Sequence, residues 1–427
     1  MKKLSLIATA ILGLVSTTAM AQSTVTVYGI VDGGYNYVSG LKQGSINTLA
    51  SGIMEGSRFG LRGTEDMGGG MQAIFTLENR FEVDTGTMSN VPNSGLQVPD
   101  RVATSVTAGV AGLPLSAAQV AGIINTVNTG LATAGFGVNL PSATSGSRLF
   151  DRQAFVGLIT PVGAFTLGRQ YTPAYLASAA FDASQTQSSL AAGQVASLPA
   201  AFDIRYSNTL QYGLRKDGVS ATVMYGAGES TAGGSRSQLL GIMAMYKGNG
   251  FSVGFGHNER NNELGKKSLT NNVFGATFDV GPGTLYGQYT TITDDAPSGL
   301  STIAANVTAA TTSAAVGAAF QNAYNNAFKQ DARLMHIGYR MTTGPHTIVT
   351  AFNRLDDKRL VNADTDSYGV TYTYALSKRT NINAVLTRFN NKGQGQVAPG
   401  GNGFLGGVTS AAGVGSTNLG LGVRHAF

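Results

Sequence analysis

The sequence predicts an all-β fold, a 16-stranded antiparallel transmembrane β-barrel with short periplasmic turns and long extracellular loops. Three observations lead there. Segments of about ten residues with alternating apolar and polar side chains recur along the chain, as in strands that meet lipid on one face and water on the other. Tight turns and long polar connections join them in rotation, the connectivity of a closed barrel. The composition is unlike a soluble domain: 12% charged, 42% hydrophobic and 58 glycines in 427 residues, about twice the usual glycine share.

The chain opens with Lys2 and Lys3, an apolar run from Leu4 to Val15 and the small-residue trio Ala19-Met20-Ala21, the pattern of a cleaved export signal. Residues 1–21 are therefore expected to be a signal peptide and 22–427 the barrel. The apolar run is about a dozen residues, short of the ~20 that a membrane helix needs, and no later run is longer. With no cysteine there is neither a disulfide framework nor a thiolate metal site. Of 29 Lys and Arg, two lie in the signal, leaving 27 against 23 acids, or +4. That mild excess, without a dense basic run, argues against a nucleic-acid partner.

Strand signals follow in order. Tyr206, Leu210, Tyr212 and Leu214 alternate with Arg205, Ser207, Thr209, Gln211 and Arg215; Tyr368, Val370, Tyr372, Tyr374 and Leu376 alternate with Ser367, Gly369, Thr371 and Thr373. In each pair one set suits lipid and the other water. Seven tight turns are legible: Met67 to Gly70, Pro161 to Gly163, Asp217-Gly218, Asn249-Gly250, Pro282-Gly283, Gly344-Pro345 and Lys378-Arg379. Seven hairpins, a first strand from Val25 and a last strand ending at Phe427 give sixteen strands. Two long connections carry helical spacing: Val120, Ile123, Ile124, Val127 and Leu131 within residues 85–147, and Val316, Phe320, Tyr324, Ala327 and Phe328 within residues 295–330. Such helices either pack a loop over the barrel mouth or contact a neighbouring subunit.

Enzymatic chemistry is poorly represented. His257, His336, His346 and His425 are scattered without metal-ligand spacing, and no phosphate-loop, metalloprotease or nucleophile-elbow pattern occurs, so neither a metal nor a cofactor is expected. A barrel enzyme would need a Ser, His and acid set at one rim, and a passenger solenoid a fixed repeat. Asn306-Val307-Thr308 matches a glycosylation acceptor by coincidence in a bacterial-looking chain. The informative set is arginine. Parity places Arg58, Arg80, Arg152 and Arg205 inward, opposite Phe59 and Leu61, Leu77 and Phe81, Phe155, and Tyr206 respectively. Counting 9, 10, 9 and 12 residues from the nearest tight turns puts all four at one level, roughly 22 to 30 Å above the inner rim at ~3.3 Å per residue and ~40° tilt. Asp32, Arg62 and Glu78 are expected to line the lumen. Arg80 shares its face with Glu78 and Glu82, whereas the strands of Arg58, Arg152 and Arg205 carry no inward acid beside them.

The connection from Thr172 to Ala201 is rich in Ala, Ser and Gln, with Asp182 its only acid. Folded inside the barrel, it would narrow the bore and set Asp182 against the arginines, with positive charge in the majority. The expectation is a pore for small hydrophilic solutes that prefers anions. At the end of the chain Leu419, Leu421, Val423, His425 and Phe427 alternate outward and finish on an aromatic, as a closing strand would.

The chain resembles the general porins of Gram-negative bacteria, in particular the beta-proteobacterial branch. The resemblance covers the mature chain and rests on "VTVYGIVDGGYNYV", "SRFGLRGTEDMGGGMQAIFTLE", "RQAFVGLITPVGAFTLGRQY", "IRYSNTLQYG" and the closing "GLGVRHAF". It implies a trimeric outer-membrane porin whose third long loop, residues 172–201, folds inward to form the constriction. It also implies basic wall residues at Arg58, Arg152 and Arg205, a subunit-interface residue at Arg169, and a signal for the barrel-assembly machinery at Phe427. Arg80, the acid-poor third loop and the extended second long loop depart from the family pattern.

Overall fold

The computed structural model describes residues 24–88, 98–133, 148–196, 203–228, 233–399 and 407–427. The expected signal peptide, residues 1–21, lies outside them. Strands run in chain order as β1 (Thr24–Leu41), β2 (Gly44–Ser51), β3 (Arg58–Gly68), β4 (Met71–Arg80), β5 (Gln153–Thr160), β6 (Gly163–Tyr171), β7 (Arg205–Lys216), β8 (Val219–Gly226), β9 (Leu239–Lys247) and β10 (Phe251–Asn261). They continue as β11 (Lys267–Val280), β12 (Gly283–Asp294), β13 (Gln330–Thr343), β14 (His346–Asp357), β15 (Thr365–Ala375) and β16 (Thr380–Asn391). A short ribbon, β17 (Val397–Ala398) with β18 (Gly407–Val408), precedes the final β19 (Ser416–Ala426).

Seventeen of these segments form one sheet, yet the barrel has sixteen staves. The long β1 pairs with β3 through Thr24–Ile30 and with β2 through Gly33–Leu41. Strands β2 and β3 are therefore one stave, interrupted at residues 52–57. Closure is by β19 against β1, from Ile30 opposite Ala426 to Val38 opposite Asn418, which leaves no open edge in the bilayer. Each of the seven predicted tight turns joins a hairpin. Alternation is plain on β13, where Leu334 and His336 are buried while Met335 and Ile337 are exposed. Ile337 is mid-strand and outward, so Ile337→Lys is expected to cost about 2–4 kcal/mol of barrel stability in bilayers, measured by reversible unfolding; the same change at a rim position should cost far less.

Helices occupy three of the long connections. α1 (Asp100–Gly109) and α2 (Ala117–Thr133) follow β4; α4 (Ile303–Thr311) and α5 (Ala314–Phe328) follow β12; α3 (Pro173–Phe181) lies between β6 and β7. Val102, Val106, Ile124, Val307, Phe320 and Tyr324 share one apolar core, so the loops after β4 and β12 pack on each other, the driving force being removal of their apolar faces from water. Arg101 Nη1 donates to the Ala327 carbonyl at 3.0 Å and the Tyr324 hydroxyl to Asn128 Oδ1 at 2.9 Å. The first loop leaves between the third and fourth staves and the second between the eleventh and twelfth, eight staves apart on a sixteen-stave cylinder. The helices therefore bridge opposite rims. Lys42 from the two-residue turn between β1 and β2, and Gln396 and Arg359 from two longer connections, bond this bridge as well, the first two to Asp100 and Arg359 to the Lys329 carbonyl.

Candidate pore constriction

The α3 segment turns into the barrel because the wall has been hollowed for it. On β9 to β11, Gly241, Gly256, Gly254 and Gly275 lack the side chains that would meet Pro173, Ala177 and Phe181; a Cβ on Gly275 would sit 2.1 Å from the Phe181 ring. Beyond α3 the chain crosses the bore. Ala183 N–H donates to His336 Nε2 at 3.0 Å, Asn353 Nδ2 to the Leu190 carbonyl at 3.1 Å, and Ser189 Oγ to Asn418 Oδ1 at 2.7 Å, with Thr387 Oγ1 2.9 Å from Ser189 Oγ. These partners sit on β13, β14, β16 and β19, on the buried side of each strand. Residues 173–196 thus lie inside; residues 197–201 of the expected loop fall outside the described residues. Gly275→Val is expected to overpack this contact at a cost of about 1–3 kcal/mol and to raise single-channel conductance as the loop withdraws. Unchanged conductance in a folded variant would count against the seating.

A second, unforeseen segment also enters the bore. Residues 52–57 are buried nearly throughout, held by Asp32, whose carboxylate accepts the backbone N–H groups of Ile53, Met54 and Glu55 at 2.8 to 3.0 Å. Asp32 is therefore fully covered and does not line the lumen as expected. Met54 accepts from Ser188 N–H at 2.8 Å, so the two inward segments meet.

The arginines gather where these segments face the wall. Arg58 and Arg80 are direct cross-strand partners on β3 and β4. Arg152 donates from Nε to Glu78 Oε1 at 2.6 Å and from Nη2 to the Tyr171 hydroxyl at 2.8 Å; Arg205 donates to the same hydroxyl at 2.9 Å and lies over the Tyr171 ring, 4.5 Å from its centroid. Tyr171 in turn stacks on Tyr175 of α3. Glu78 also accepts from the Tyr28 hydroxyl at 3.1 Å, and Arg62 covers the Tyr28 ring. The four arginines chosen by parity and height share one neighbourhood.

Two of the parity assignments reached the right place by the wrong route. Phe155 faces inward: it is buried and pairs with Thr76, itself opposite Arg62. Arg152 enters the bore because it precedes β5 in a bend, where strand alternation does not apply. On β7 a bulge intervenes between Leu210 and Arg205: Gly168 pairs with Thr209 but Gln170 with Tyr206, with Asn208 at φ +57°. An extra residue reverses the faces beyond it.

Acids are closer than the strands suggested. Arg80 pairs with Glu82 at 2.7 Å, Arg58 with Glu55 at 3.2 Å, and Glu55 also holds Arg424. Glu55 and Arg424 were not foreseen, because one comes from the stave interruption and the other from β19, far along the chain. Among the described residues Arg205 has no carboxylate partner. Five guanidiniums (Arg58, Arg80, Arg152, Arg205, Arg424) meet three ion-paired carboxylates (Glu55, Glu78, Glu82), while the carboxylates of Asp151 and Asp32 beside them are taken up by backbone N–H groups.

Asp182 does not oppose them. Its carboxylate is turned into its own loop, accepting Ser184 N–H and Oγ–H at 2.8 Å and Ala192 N–H at 3.0 Å, with His336 Nε2 3.9 Å away. A short acidic side chain surrounded by free backbone donors is satisfied locally. Arg169 is held within its own chain, donating to the Asp151 carbonyl at 2.6 Å and Ser207 Oγ at 3.0 Å. Phe427 exchanges backbone hydrogen bonds with Gly29, both 3.1 Å, at the closing seam.

Comparison with known proteins agrees with this architecture. Residues 8–394 match the model of the Gram-negative porin family. Two outer membrane porins are similar over short stretches: one from Bordetella pertussis is 39% identical over 100 residues, and porin protein 32 from Delftia acidovorans is 50% identical over 90. These stretches cover 20% and 21% of this chain and only 26% and 25% of the relatives. Among solved structures, the anion-selective porin from Comamonas acidovorans superposes with a TM-score of 0.65 at 22% identity, over 95% of this chain and all of that one. The trimer form of the Vibrio cholerae outer membrane protein OmpT gives 0.55 at 14% identity, over 95% and 99%. At those identities the likeness is one of fold. A closed sixteen-stave cylinder narrowed by an inward third loop, matched along most of its length by one family, is a member of the Gram-negative porins of the outer membrane.

Proposed function

We propose that the barrel is a water-filled diffusion pore for small hydrophilic solutes and ions, with a preference for anions. The observation that carries this reading is the arginine cluster, five guanidiniums against three ion-paired carboxylates, at the narrowed level. Arginine stays charged at every physiological pH, so the field there is permanent, and a solute confined beside it exchanges water for guanidinium donors. The anion selectivity named for the Comamonas structure favours the same sign. A planar-bilayer recording across a salt gradient tests it: the reversal potential should have the anion-selective sign, and the cation-selective sign would end the preference.

Residues 173–196 act as the constriction loop in this reading, although the positive wall meets Tyr171 and, through its ring, Tyr175 of the loop rather than a loop acid. Three copies are expected to associate, as in the OmpT trimer form, burying some of the apolar outer surface; a gel comparing unheated and boiled samples checks this. Residues 1–21 direct export, and Phe427 presents its aromatic side chain to the machinery that inserts barrels.

A further inference from the structure

Where the long connections leave β5 to β10, a second basic group lines a cavity of about 310 Å³. Its charged residues are Arg148, Arg169, Arg205, Arg260 and a single acid, Asp203, with Ser207 beside them. Arg148 precedes β5, Arg169 is near the end of β6, Arg205 begins β7 and Arg260 is near the end of β10. The cavity is therefore at the long-loop rim, bounded on one side by the connection that carries α1 and α2.

Arg260 Nη1 meets Asp203 Oδ1 at 3.0 Å, which uses the only acid and leaves three guanidiniums uncompensated. The remaining valences are more telling. Nε of Arg205 and Nε of Arg260 are buried donors without an acceptor, and Asp203 Oδ2 is a buried acceptor without a donor. Buried polar groups are nearly always paired, by water or by a solute, and a solute that takes the place of water here accepts from two guanidiniums and donates to a carboxylate. A chloride or a fully ionised sulfate cannot do both. A phosphate group that retains a proton can: its charged oxygens fit the arginine forks and its O–H reaches Asp203.

We propose that this rim cavity binds a protonated phosphate group, supplied either by a free phosphate-bearing solute or by a phosphorylated lipid headgroup. Arg148 and Arg169 bring charge, Arg205 and Arg260 donate through their free Nε atoms, and Asp203 selects for the proton. The site shares Arg205 with the constriction, but Arg148, Arg169, Arg260 and Asp203 lie outside the constriction set.

Calorimetry on the detergent-solubilised full chain, titrated with inorganic phosphate and then with sulfate, tests the first source. Phosphate should bind at least about tenfold more tightly than sulfate, Arg148→Gln should weaken phosphate about tenfold, and Asp203→Asn should erase the discrimination. Arg148→Gln is the control against misfolding, because that side chain makes no hydrogen bond or ion pair among the described residues. Flotation with phosphatidylcholine vesicles containing phosphorylated or dephosphorylated lipid A tests the second: retention should depend on the lipid phosphate and fall about tenfold in Arg148→Gln. Either positive arm supports the site and names its source. Sulfate binding as tightly as phosphate, or both arms blind to Arg148→Gln, overturns it. The reversal potential of Arg148→Gln should match the parent, so a failure of anion preference and a failure of this cavity read out separately.

Discussion

Changing Arg58 and Arg205 together to glutamine is expected to abolish the anion preference. The double variant leaves Arg80, Arg152 and Arg424 against Glu82, Glu78 and Glu55, a balanced set in which every acid keeps an arginine. That choice matters, because removing Arg152 would strand the buried Glu78, and a stranded buried charge destabilises by itself. Arg58 can leave because Glu55 keeps Arg424, and Arg205 because no acid depends on it. A uncompensated charge ~10 Å from a passing ion contributes about 1.7 kcal/mol at an effective dielectric of 20, more than a tenfold bias. The measurement is a reversal potential in a tenfold KCl gradient, for which perfect selectivity gives ~59 mV. The double variant should fall close to zero, and Glu55→Gln should move the other way. Both recordings belong at low ionic strength, since the screening length is about 10 Å at 0.1 M. An unchanged potential in the double variant would place selectivity elsewhere in the bore.

Asp32→Ala should produce the largest loss of stability. One carboxylate caps three successive backbone N–H groups, none of which has a strand to pair with. Each buried donor left unpaired costs about 1–3 kcal/mol, so the change should cost at least about 3 kcal/mol, read from the shift in a urea unfolding midpoint. Because residues 52–57 carry Glu55 and touch the inward loop at Ser188, the same variant should also show noisier single-channel current. Asp32→Asn, which keeps one acceptor oxygen, should recover part of both effects. A variant as stable and as quiet as the parent would show that the segment holds itself in place.

Much of the barrel was legible because its determinants are local. Each tight turn is two to four residues of fixed chemistry, and each strand announces its two solvents by alternation. Counting from those turns also found the level of the arginines, since Arg58 and Arg80 are true cross-strand partners. Parity was less dependable near the loops. The bend before β5 and the bulge at Asn208 each break the period, and neither has a signal as strong as a proline or an Asn-Gly pair. The partners of the cluster were the least legible. Glu55 belongs to a stave that leaves its own sheet, and Arg424 reaches it from a strand more than three hundred residues later in the chain. Asp182 misled for the opposite reason: as the only acid in its loop it invited a long-range role, while Ser184, Thr186 and Ala192 of the same loop had the shorter path to it.

The helices that meet above the mouth also bear on its mechanics. A thin cylinder of strands is soft toward ovalising, since flattening a circle only bends its wall. Here two arms anchored a diameter apart are fused through one apolar core, so squeezing the rim along that diameter, or pulling it open, must shear packed side chains. The arms behave as a tie rod, and the outer aperture keeps its shape along that diameter.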